Sequence, residues 1–368
     1  MTDPFATRTA AAHAKVRAVV VDDSAFMRKA ISSMLSDDPE VEVVGVARNG
    51  AEGVKMAREL KPDVMTMDIE MPEMDGLTAL QKIMAECPTH VIMLSSLTTE
   101  GSHAALTALS HGAADVLAKE QSHISINIVK MKDELLRRVK ALGRSRPPRK
   151  VLSSALPSKP KPQAVMPARL DLVCIGSSTG GPPVVEKLLK AVPADFAAPI
   201  IVAQHMPEVF TKSMAERLGT VCRVPVTHLT SGAALTPGRI HVCPGGQNTH
   251  LRRAIMNGRI SFSVTVNREP TSTIYYPSVD ALLFSAATAA GANVLSIILT
   301  GMGEDGVKGA AALKQAGGVI LGQSAETCVV YGMPRAVYEK GIAAAMMSPE
   351  ELADVLSTAG KNVLRKAG

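Results

Sequence analysis

Five polar residues stand at or next to the ends of short apolar runs in the first part of the chain, where their side chains could meet. Asp22 and Asp23 end the first run, Asp68 ends the third, Ser95 ends the fourth, and Lys119 follows the fifth. In a parallel sheet the ligand crevice lies beyond the carboxyl ends of the strands. The sequence therefore predicts that these side chains converge on one rim.

Three carboxylates on one rim repel one another unless a cation lies between them. Mg²⁺ is a hard cation that takes carboxylate oxygens together with phosphate and water. Phosphoryl transfer then assigns the roles: Asp68 is the nucleophile and phosphate acceptor, while Asp22, Asp23 and Asp68 hold Mg²⁺. Ser95 and Lys119 are predicted to contact the phosphoryl oxygens. A single acid at a strand end is usually a solvated loop residue, so the prediction rests on all five positions together.

A second constellation begins at Ser178, in the run DLVCIGSSTGGPPVVEKLLKAV. Gly176, Ser178 and Gly180 match GxSxG between a predicted strand and a predicted helix. Glycines permit a sharp turn that would present the Ser178 hydroxyl at the helix N-terminus, where backbone N–H groups can stabilise an oxyanion. The motif alone is weak, because a turn with serine as the helix N-cap fits it equally well.

A nucleophilic serine needs a base and a carboxylate that orients the base. His205 follows the next apolar run, PIIVAQ, and Asp305 follows the run NVLSIILT, so strand ends would again bring both near Ser178. The predicted chain order is Ser178, His205, Asp305. A competing metal site at His241 and Cys243 lacks further ligands at a familiar spacing.

The segment around Asp305 also spells GxGxxG, with Gly301, Gly303 and Gly306 between a predicted strand and a predicted helix. Such a motif can bind a dinucleotide. Glu304 and Asp305 would place negative charge at the helix N-terminus where a pyrophosphate belongs, which disfavours dinucleotide binding.

Apolar runs alternate with helix-length segments in both halves of the chain, a pattern typical of parallel α/β units. The first half predicts a doubly wound five-stranded parallel sheet, with strands at 17–22, 41–46, 64–68, 91–95 and 114–118. The second half predicts a doubly wound, mostly parallel α/β sheet with buried strands at 171–176, 199–204, 293–300 and 317–322. Shorter runs fit edge strands or a hairpin, at 223–228, 239–243 and 259–266.

A basic, proline-rich stretch separates the two halves. Residues 143–169 contain six prolines, seven Lys or Arg residues and no acid, which predicts a semi-extended linker. Outside it the chain has 33 basic and 34 acidic residues, so the net charge of +6 belongs to the linker and a basic face for nucleic acid is not indicated. The linker is a solvated tether or docks on an acidic partner. The predicted divisions are a disordered N-terminus at 1–15, an α/β domain at 16–142, the linker at 143–168 and a second α/β domain at 169–362.

Cysteine usage and hydropathy bear on the cell compartment. The five cysteines form no CxxC pair, which predicts reduced thiols in a cytoplasmic protein. The N-terminus has no apolar core long enough for a signal peptide. Residues 281–303 lack charge but break at Gly291, so a helix followed by a buried strand is predicted there and not a membrane span.

The five polar residues at the predicted strand ends of the first half resemble the site of a response-regulator receiver domain. VVVDDS, MDIEMPEMDG and the positions of Ser95 and Lys119 carry the resemblance over roughly residues 16–140. Receivers usually have proline after the lysine and often an aromatic residue three positions before it, whereas this chain has Glu120 and Val116. We expect phosphorylation chemistry to survive both departures, but an aromatic switch residue cannot relay the signal.

IGSSTGGPP, AQHMPE, YYPSVD and LTGMGEDG together resemble the catalytic domain of the chemotaxis protein-glutamate methylesterases, the CheB family, over about residues 168–360. The resemblance implies that Ser178 is the nucleophile, His205 the general base and acid, and Asp305 the orienting carboxylate. It also implies an oxyanion site formed by the Met302 backbone N–H and by Thr179.

Family membership would imply a phosphorylation-regulated hydrolase of the chemotaxis adaptation system. Such an enzyme demethylates glutamate methyl esters on chemoreceptors, with release of methanol, and deamidates receptor glutamines to glutamate. The expected partners are methyl-accepting chemoreceptors as substrates and a chemotaxis histidine kinase as phosphodonor, with no nucleic acid and no membrane insertion. Mg²⁺ is expected for receiver phosphorylation and no cofactor for ester hydrolysis. Glu304 stands where some relatives have Asn, and we expect it to be peripheral.

Two other functional classes compete with the enzyme. One is a scaffold response regulator whose esterase site is vestigial. The other is a DNA-binding response regulator, which would need a helix-turn-helix in a basic C-terminal module, and the sequence has no such pattern.

Overall fold

The computed structural model describes residues 15–119, 125–145, 166–256 and 259–364. The described residues divide into two compact units, the first lying within residues 1–96 and 111–151 and the second within residues 97–110 and 152–368. The predicted disordered N-terminus, apart from Lys15, and residues 146–165 of the predicted linker lie outside the described residues.

The first sheet consists of five strands, and its helices alternate with them along the chain. The strands are β1 (Val16–Val21), β2 (Val41–Ala47), β3 (Val64–Asp68), β4 (His90–Ser96) and β5 (Asp115–Lys119). The helices are α1 (Ala25–Ser36), α2 (Gly50–Leu60), α3 (Gly76–Glu86), α4 (Thr99–Ser110) and α5 (Ser125–Gly143). All neighbouring strands are parallel in the order β2-β1-β3-β4-β5, which confirms the predicted sheet.

Local sequence explains why acids collect at one rim of this sheet. Every residue of β3 is buried, as expected for a central parallel strand covered on both faces. The Ser24 side chain accepts a hydrogen bond from the Met27 backbone N–H and caps α1. Because β1 ends at Val21 and the cap stands at Ser24, Asp22 and Asp23 fall in the turn between strand and helix.

The second unit holds a larger parallel sheet and a small antiparallel one. Its strands are β6 (Leu172–Ser177), β7 (Ile200–Gln204), β8 (Val226–His228), β9 (Ala234–Leu235), β10 (Ile240–Val242), β11 (Asn248–Met256), β12 (Arg259–Asn267), β13 (Val294–Ile298), β14 (Val319–Gln323) and β15 (Ala345–Met347). The helices that follow β6 along the chain are α6 (Gly181–Lys190), α7 (Glu208–Val221), α8 (Val279–Ala290), α9 (Val307–Gln315), α10 (Met333–Glu339) and α11 (Pro349–Leu364).

The larger sheet has the order β15-β14-β13-β6-β7-β10-β8, with parallel pairing between all neighbours. The four predicted buried strands are confirmed as β6, β7, β13 and β14. The hairpin is confirmed for β12, which pairs antiparallel with β11, and β8 is an edge strand. The prediction for 239–243 was wrong, because β10 lies inside the sheet between β7 and β8.

The uncharged stretch at 281–303 forms a helix and then a buried strand, as predicted. Helix α8 ends at Ala290, a 3₁₀ turn spans Gly291–Asn293, and β13 follows with all five residues buried. Within the described ranges, no helix combines the length and apolar character that crossing a membrane requires. The strand order places β13, β6 and β7 side by side, so that their carboxyl ends share one rim.

Candidate active site

Ser178 lies in a tight turn between β6 and α6. Its backbone N–H donates to the Thr300 carbonyl at 3.0 Å, and its carbonyl accepts from the Gly181 N–H at 2.8 Å. Gly180 has φ +75°, and a Cβ there would lie 2.5 Å from the Cβ of Val329. Glycine is therefore required at position 180 both by the backbone conformation and by the close packing.

Gln204, the last residue of β7, fixes this turn from the neighbouring strand. The Ser177 hydroxyl donates to Gln204 Oε1 at 2.5 Å, and Gln204 Nε2 donates to the Ser178 carbonyl at 2.9 Å. All of these groups are buried. The Ser177 side chain thus faces the protein interior, and Gln204 holds both this side chain and the carbonyl of the predicted nucleophile.

His205 follows Gln204 directly and lies beside the serine turn. Its backbone N–H donates to the Ser177 carbonyl at 3.0 Å. Its side chain is 8% exposed, and Nε2 is 2.8 Å from Asp305 Oδ2. One face of the imidazole stacks on the ring of Tyr275, with centroids 4.4 Å apart and planes inclined by 8°.

Asp305 lies in the loop between β13 and α9 and is held at the N-terminus of α8. Oδ1 accepts from the Ser278 hydroxyl at 2.9 Å and from the Asp280 N–H at 3.1 Å, and Oδ2 accepts from the Val279 N–H at 2.7 Å. Burial tends to raise the pKa of Asp305, but the hydrogen bonds from His205 and from these backbone groups outweigh it and leave the pKa lowered. The carboxylate is therefore ionised at neutral pH.

The ionised carboxylate determines which nitrogen of His205 carries the proton. A carboxylate only accepts hydrogen bonds, so Nε2 must be the N–H and Nδ1 holds the lone pair in the neutral ring. Nδ1 is buried and has no hydrogen-bond partner among the described residues, so the Ser178 hydroxyl is not bonded to it. The structure thus joins His205 to Asp305 directly and places Ser178 at the end of the adjacent strand.

The two predicted oxyanion residues, Thr179 and Met302, belong to the two loops that meet at Ser178. Thr179 follows it in the turn, and the Thr179 carbonyl accepts from the Thr300 hydroxyl at 3.0 Å. Gly301 is so close that a Cβ there would lie 2.6 Å from the Cβ of Ser178, and Met302 is the next residue. Their roles as oxyanion donors stay predictions.

Other candidate residues of the second unit have different surroundings. Glu304 is exposed and pairs with Lys340 at 3.2 Å, so it lies outside the His205–Asp305 pair. His241 is bonded through Nδ1 to the Thr227 hydroxyl and through Nε2 to the Thr236 N–H, at 3.0 and 3.1 Å. These bonds occupy both ring nitrogens of His241.

Sequence reasoning gave no role to three residues that shape this site: Gln204, Tyr275 and Ser278. Ser278 stands directly before the apolar start of α8, and its side chain accepts from the Ala281 N–H, a capping signal that was available from the sequence. Tyr275 opens the YYPSVD motif, but its stack on His205, 70 positions away, depends on the tertiary fold and could not be predicted from that motif.

The acidic residues of the first unit converge as predicted. One ligand oxygen from each of Asp22, Asp23 and Asp68 lies within 4.8 Å of the others. Lys119 Nζ lies 2.8 Å from Asp22 Oδ2 and 2.7 Å from Asp68 Oδ2. Arg28 donates to the carbonyls of Asp22 and Asp23 at 2.8 and 2.7 Å and so fixes their loop.

Burial raises the pKa of Asp68, although its hydrogen bond to Lys119 acts in the opposite direction. The backbone near Asp68 is also tightly packed, since a Cβ at Gly76 would lie 2.0 Å from the Asp68 carbonyl oxygen. Ser95 is buried at the end of β4, and its hydroxyl donates to the Ser96 carbonyl at 3.2 Å. Val116, at the position that departs from the receiver pattern, is buried in β5, and Glu120 lies outside the described residues.

The donor set of this cluster fits a hard divalent cation. All three acids offer carboxylate oxygens, and two of them are buried. Lys119 pairs with both buried acids, and Mg²⁺ would neutralise the remaining negative charge. In the described part of the chain, this is the one group of three or more His, Cys, Asp or Glu residues close enough to share a metal.

An acidic cluster on a five-stranded parallel sheet, followed by a second α/β sheet with its own polar site, defines a response regulator with an additional domain. A model of the response regulator receiver domain matches residues 18–128, and a model of CheB methylesterase matches residues 173–356. The chain belongs to the CheB methylesterase family.

Curated relatives match over nearly the whole chain. A protein-glutamate methylesterase/protein-glutamine glutaminase of Oleidesulfovibrio alaskensis is 44% identical, and the match covers 94% of this chain and 99% of the relative. A relative of the same description from Nitratidesulfovibrio vulgaris is also 44% identical, covering 92% and 97%. Among solved structures, the Thermotoga maritima CheB methylesterase catalytic domain is 37% identical with a TM-score of 0.47, covering 50% of this chain and 98% of that one.

Proposed function

We propose that this protein is a phosphorylation-regulated protein-glutamate methylesterase and protein-glutamine glutaminase. Its substrates would be glutamate methyl esters and glutamines on methyl-accepting chemoreceptors. The observation that carries the proposal is the buried His205–Asp305 pair beside the Ser178 turn, in a chain that belongs to this family. The reaction class is acyl transfer to a serine followed by hydrolysis.

In the first step Ser178 would attack the γ-carbonyl carbon of the ester while His205 Nδ1 takes the hydroxyl proton. Asp305 would stabilise the imidazolium formed, because its carboxylate already accepts the Nε2–H. The Met302 N–H and Thr179 would stabilise the oxyanion of the tetrahedral intermediate. Methanol, or ammonia from a glutamine, leaves with the proton from Nδ1, and an acyl-enzyme remains on Ser178.

In the second step a water would give a proton to Nδ1 and attack the acyl carbon. The glutamate carboxylate leaves, and the proton returns from His205 to the Ser178 oxygen. The ester and water are thus converted to a carboxylic acid and methanol, with no electron transfer and no requirement for a cofactor in the second unit.

In the first unit Asp68 would accept a phosphoryl group from a chemotaxis histidine kinase. Asp22, Asp23 and Asp68 would hold Mg²⁺, which when bound shields the charge of the incoming phosphoryl group. Lys119, which contacts both Asp22 and Asp68, and Ser95 would contact the phosphoryl oxygens. We also propose the receiver at 16–142, the linker at 143–168 and the catalytic domain at 169–362. A cytoplasmic location is proposed from the five free cysteines.

The test measures methanol release from methylated receptor membranes, with and without a small-molecule phosphodonor. Wild-type protein should release methanol and Ser178→Ala should not. A serine-directed fluorophosphonate probe separates this enzyme from a scaffold with a vestigial site. Absence of both methanol release and labelling would favour the scaffold.

A further inference from the structure

We propose that Tyr275 is a positioning residue for the base of this reaction. Its ring would fix the tilt of the His205 imidazole so that Nδ1 is directed toward Ser178. This inference rests on the proposed function, because it concerns the same site.

The contact between the two rings is close and nearly flat. The centroids are 4.4 Å apart, and the planes are inclined by only 8°. Aromatic pairs interact well at such separations and bury each other's faces. Asp305 holds the Nε2 edge of the His205 ring. The imidazole is therefore supported on one edge by a carboxylate and on one face by an aromatic ring.

One short loop supplies both supports. Ser278 lies three residues after Tyr275. Its hydroxyl and the backbone N–H groups of the next two residues donate to the Asp305 carboxylate. The Ser278 N–H in turn donates to Asn248 Oδ1 at 2.8 Å, which ties the loop to β11. The face support and the edge support of His205 therefore belong to the same anchored segment, and they would keep their spacing during turnover.

The hydrogen bond to Asp305 alone does not determine where Nδ1 points. A ring held at one nitrogen can still tilt about that bond, which would move the opposite nitrogen away from the serine. A flat aromatic face restricts this tilt. The electron-rich face also attracts the imidazolium that forms when His205 takes the proton.

The far end of Tyr275 reaches the loop that contains the proposed oxyanion donor. A Cβ at Gly303 would lie 2.7 Å from the Tyr275 hydroxyl oxygen, and Gly303 has φ +73°. Gly303 directly follows Met302. The tyrosine thus reaches from the general base to the loop beside Ser178. Its hydroxyl occupies the space that a side chain at position 303 would need.

The experiment compares Tyr275→Leu, Tyr275→Met and Tyr275→Phe in the full chain, with Tyr338→Leu as a matched control. Tyr338 is an exposed tyrosine of the same unit. Each variant is assayed for kcat and KM of methanol release, for the rate of fluorophosphonate labelling and for its melting temperature. Leu and Met should lower kcat by about 10- to 100-fold with KM changed by less than about threefold, because misplacement of a catalytic group costs rate more than binding. Labelling should fall by the same factor, and Phe, which keeps the ring, should restore both.

Several results would overturn the inference. One is a kcat of Tyr275→Leu or Tyr275→Met within about threefold of the control. Another is a Tyr275→Phe enzyme as slow as Tyr275→Leu, which would assign the effect to the hydroxyl and not to the ring. Loss of folding in both Leu and Met would make Tyr275 a structural residue. If wild-type protein releases no methanol but is labelled at Ser178, the proposed function fails, and the labelling rates still decide the role of Tyr275.

Discussion

His205 Nε2 lies 2.8 Å from Asp305 Oδ2, while the other ring nitrogen, Nδ1, is buried without a hydrogen-bond partner among the described residues. In the familiar serine-protease arrangement the carboxylate holds Nδ1 and Nε2 faces the serine. Here the carboxylate holds Nε2, so Nδ1 is the nitrogen available to take a proton. The two arrangements are chemically equivalent provided that the carboxylate fixes the tautomer.

The tautomer can be tested with Asp305→Asn. The amide N–H of asparagine can donate a hydrogen bond to Nε2, which favours the tautomer with the ring proton on Nδ1, where the ring cannot accept a proton from Ser178. Turnover should fall by about 10⁴-fold, as carboxylate-to-amide changes do in such triads. Methanol release and fluorophosphonate labelling measure the loss, and Glu304→Gln serves as the control because Glu304 is exposed. An active Asp305→Asn enzyme with an inactive Glu304→Gln enzyme would assign the role to Glu304.

The lowered pKa of Asp305 also leads to a prediction about how stability depends on pH. Burial tends to raise its pKa, but hydrogen bonds from His205 and from the α8 backbone more than offset this, so the pKa in the folded protein lies below the ordinary value of an aspartate. A lowered carboxyl pKa contributes stability that is present above the unfolded pKa and is lost as the pH falls through the folded pKa. The difference in urea midpoint between wild type and Asp305→Asn should therefore shrink as the pH falls below about 4. A difference that grows on acidification would contradict the lowered pKa.

The two serines of the turn should respond differently to removal of the hydroxyl. Ser178→Ala should abolish methanol release without loss of folding or of Asp68 phosphorylation. Ser177→Ala should retain most activity, but it leaves Gln204 Oε1 buried without its donor and should cost about 1–3 kcal/mol of stability. Activity assays and urea unfolding measure the two effects. Equal loss of activity in both variants would contradict the assignment of the nucleophile.

Much of this arrangement could be predicted from the sequence because the topology of a parallel sheet determines where the residues at strand ends lie. Residues that follow buried strands share one rim, and this rule located the Asp22, Asp68 and Lys119 cluster as well as His205 and Asp305. The rule describes strand ends and says nothing about contacts from other segments. The stack of Tyr275 on His205 therefore escaped it, since Tyr275 follows an antiparallel hairpin and reaches the rim only through the tertiary fold.

Strand boundaries show a similar limit. The run 293–300 is predicted as one strand, yet β13 ends at Ile298. Beyond it the Thr300 N–H donates to the Gln323 side chain at 2.9 Å and not to a carbonyl of a neighbouring strand. The missed β15 has only three residues and carries too little pattern to be recognised. The short run 239–243 was predicted as an edge strand or part of a hairpin, whereas the place of β10 in the sheet depends on its pairing with β7 and β8.

Chelation of divalent cations should separate the two chemistries of the chain. With EDTA present, Asp68 should no longer be phosphorylated by a small-molecule phosphodonor, because the Asp22, Asp23 and Asp68 cluster would lack the cation that shields the incoming charge. Basal methanol release should be unchanged. Phosphoprotein gels and the methanol assay measure the two activities in the same samples. Loss of basal release on chelation would place a metal in the esterase reaction and contradict the cofactor-free mechanism.

Regulation by the receiver leads to a further prediction, in which the unphosphorylated receiver restrains the catalytic domain. Phosphorylation of Asp68 adds negative charge and acceptor oxygens, and it can raise activity only if it disfavours the restrained state. A coupling free energy of about 1–3 kcal/mol would give activation of roughly 5- to 150-fold. Deletion of residues 1–143 should raise basal methanol release. Asp68→Ala in the full chain should abolish the response to phosphodonor but keep basal turnover, with Asp63→Ala, an acid on the N-terminal side of β3, as the control. If the deletion variant is folded by circular dichroism but less active than the unphosphorylated full chain, the receiver is an activator and the restraint does not exist.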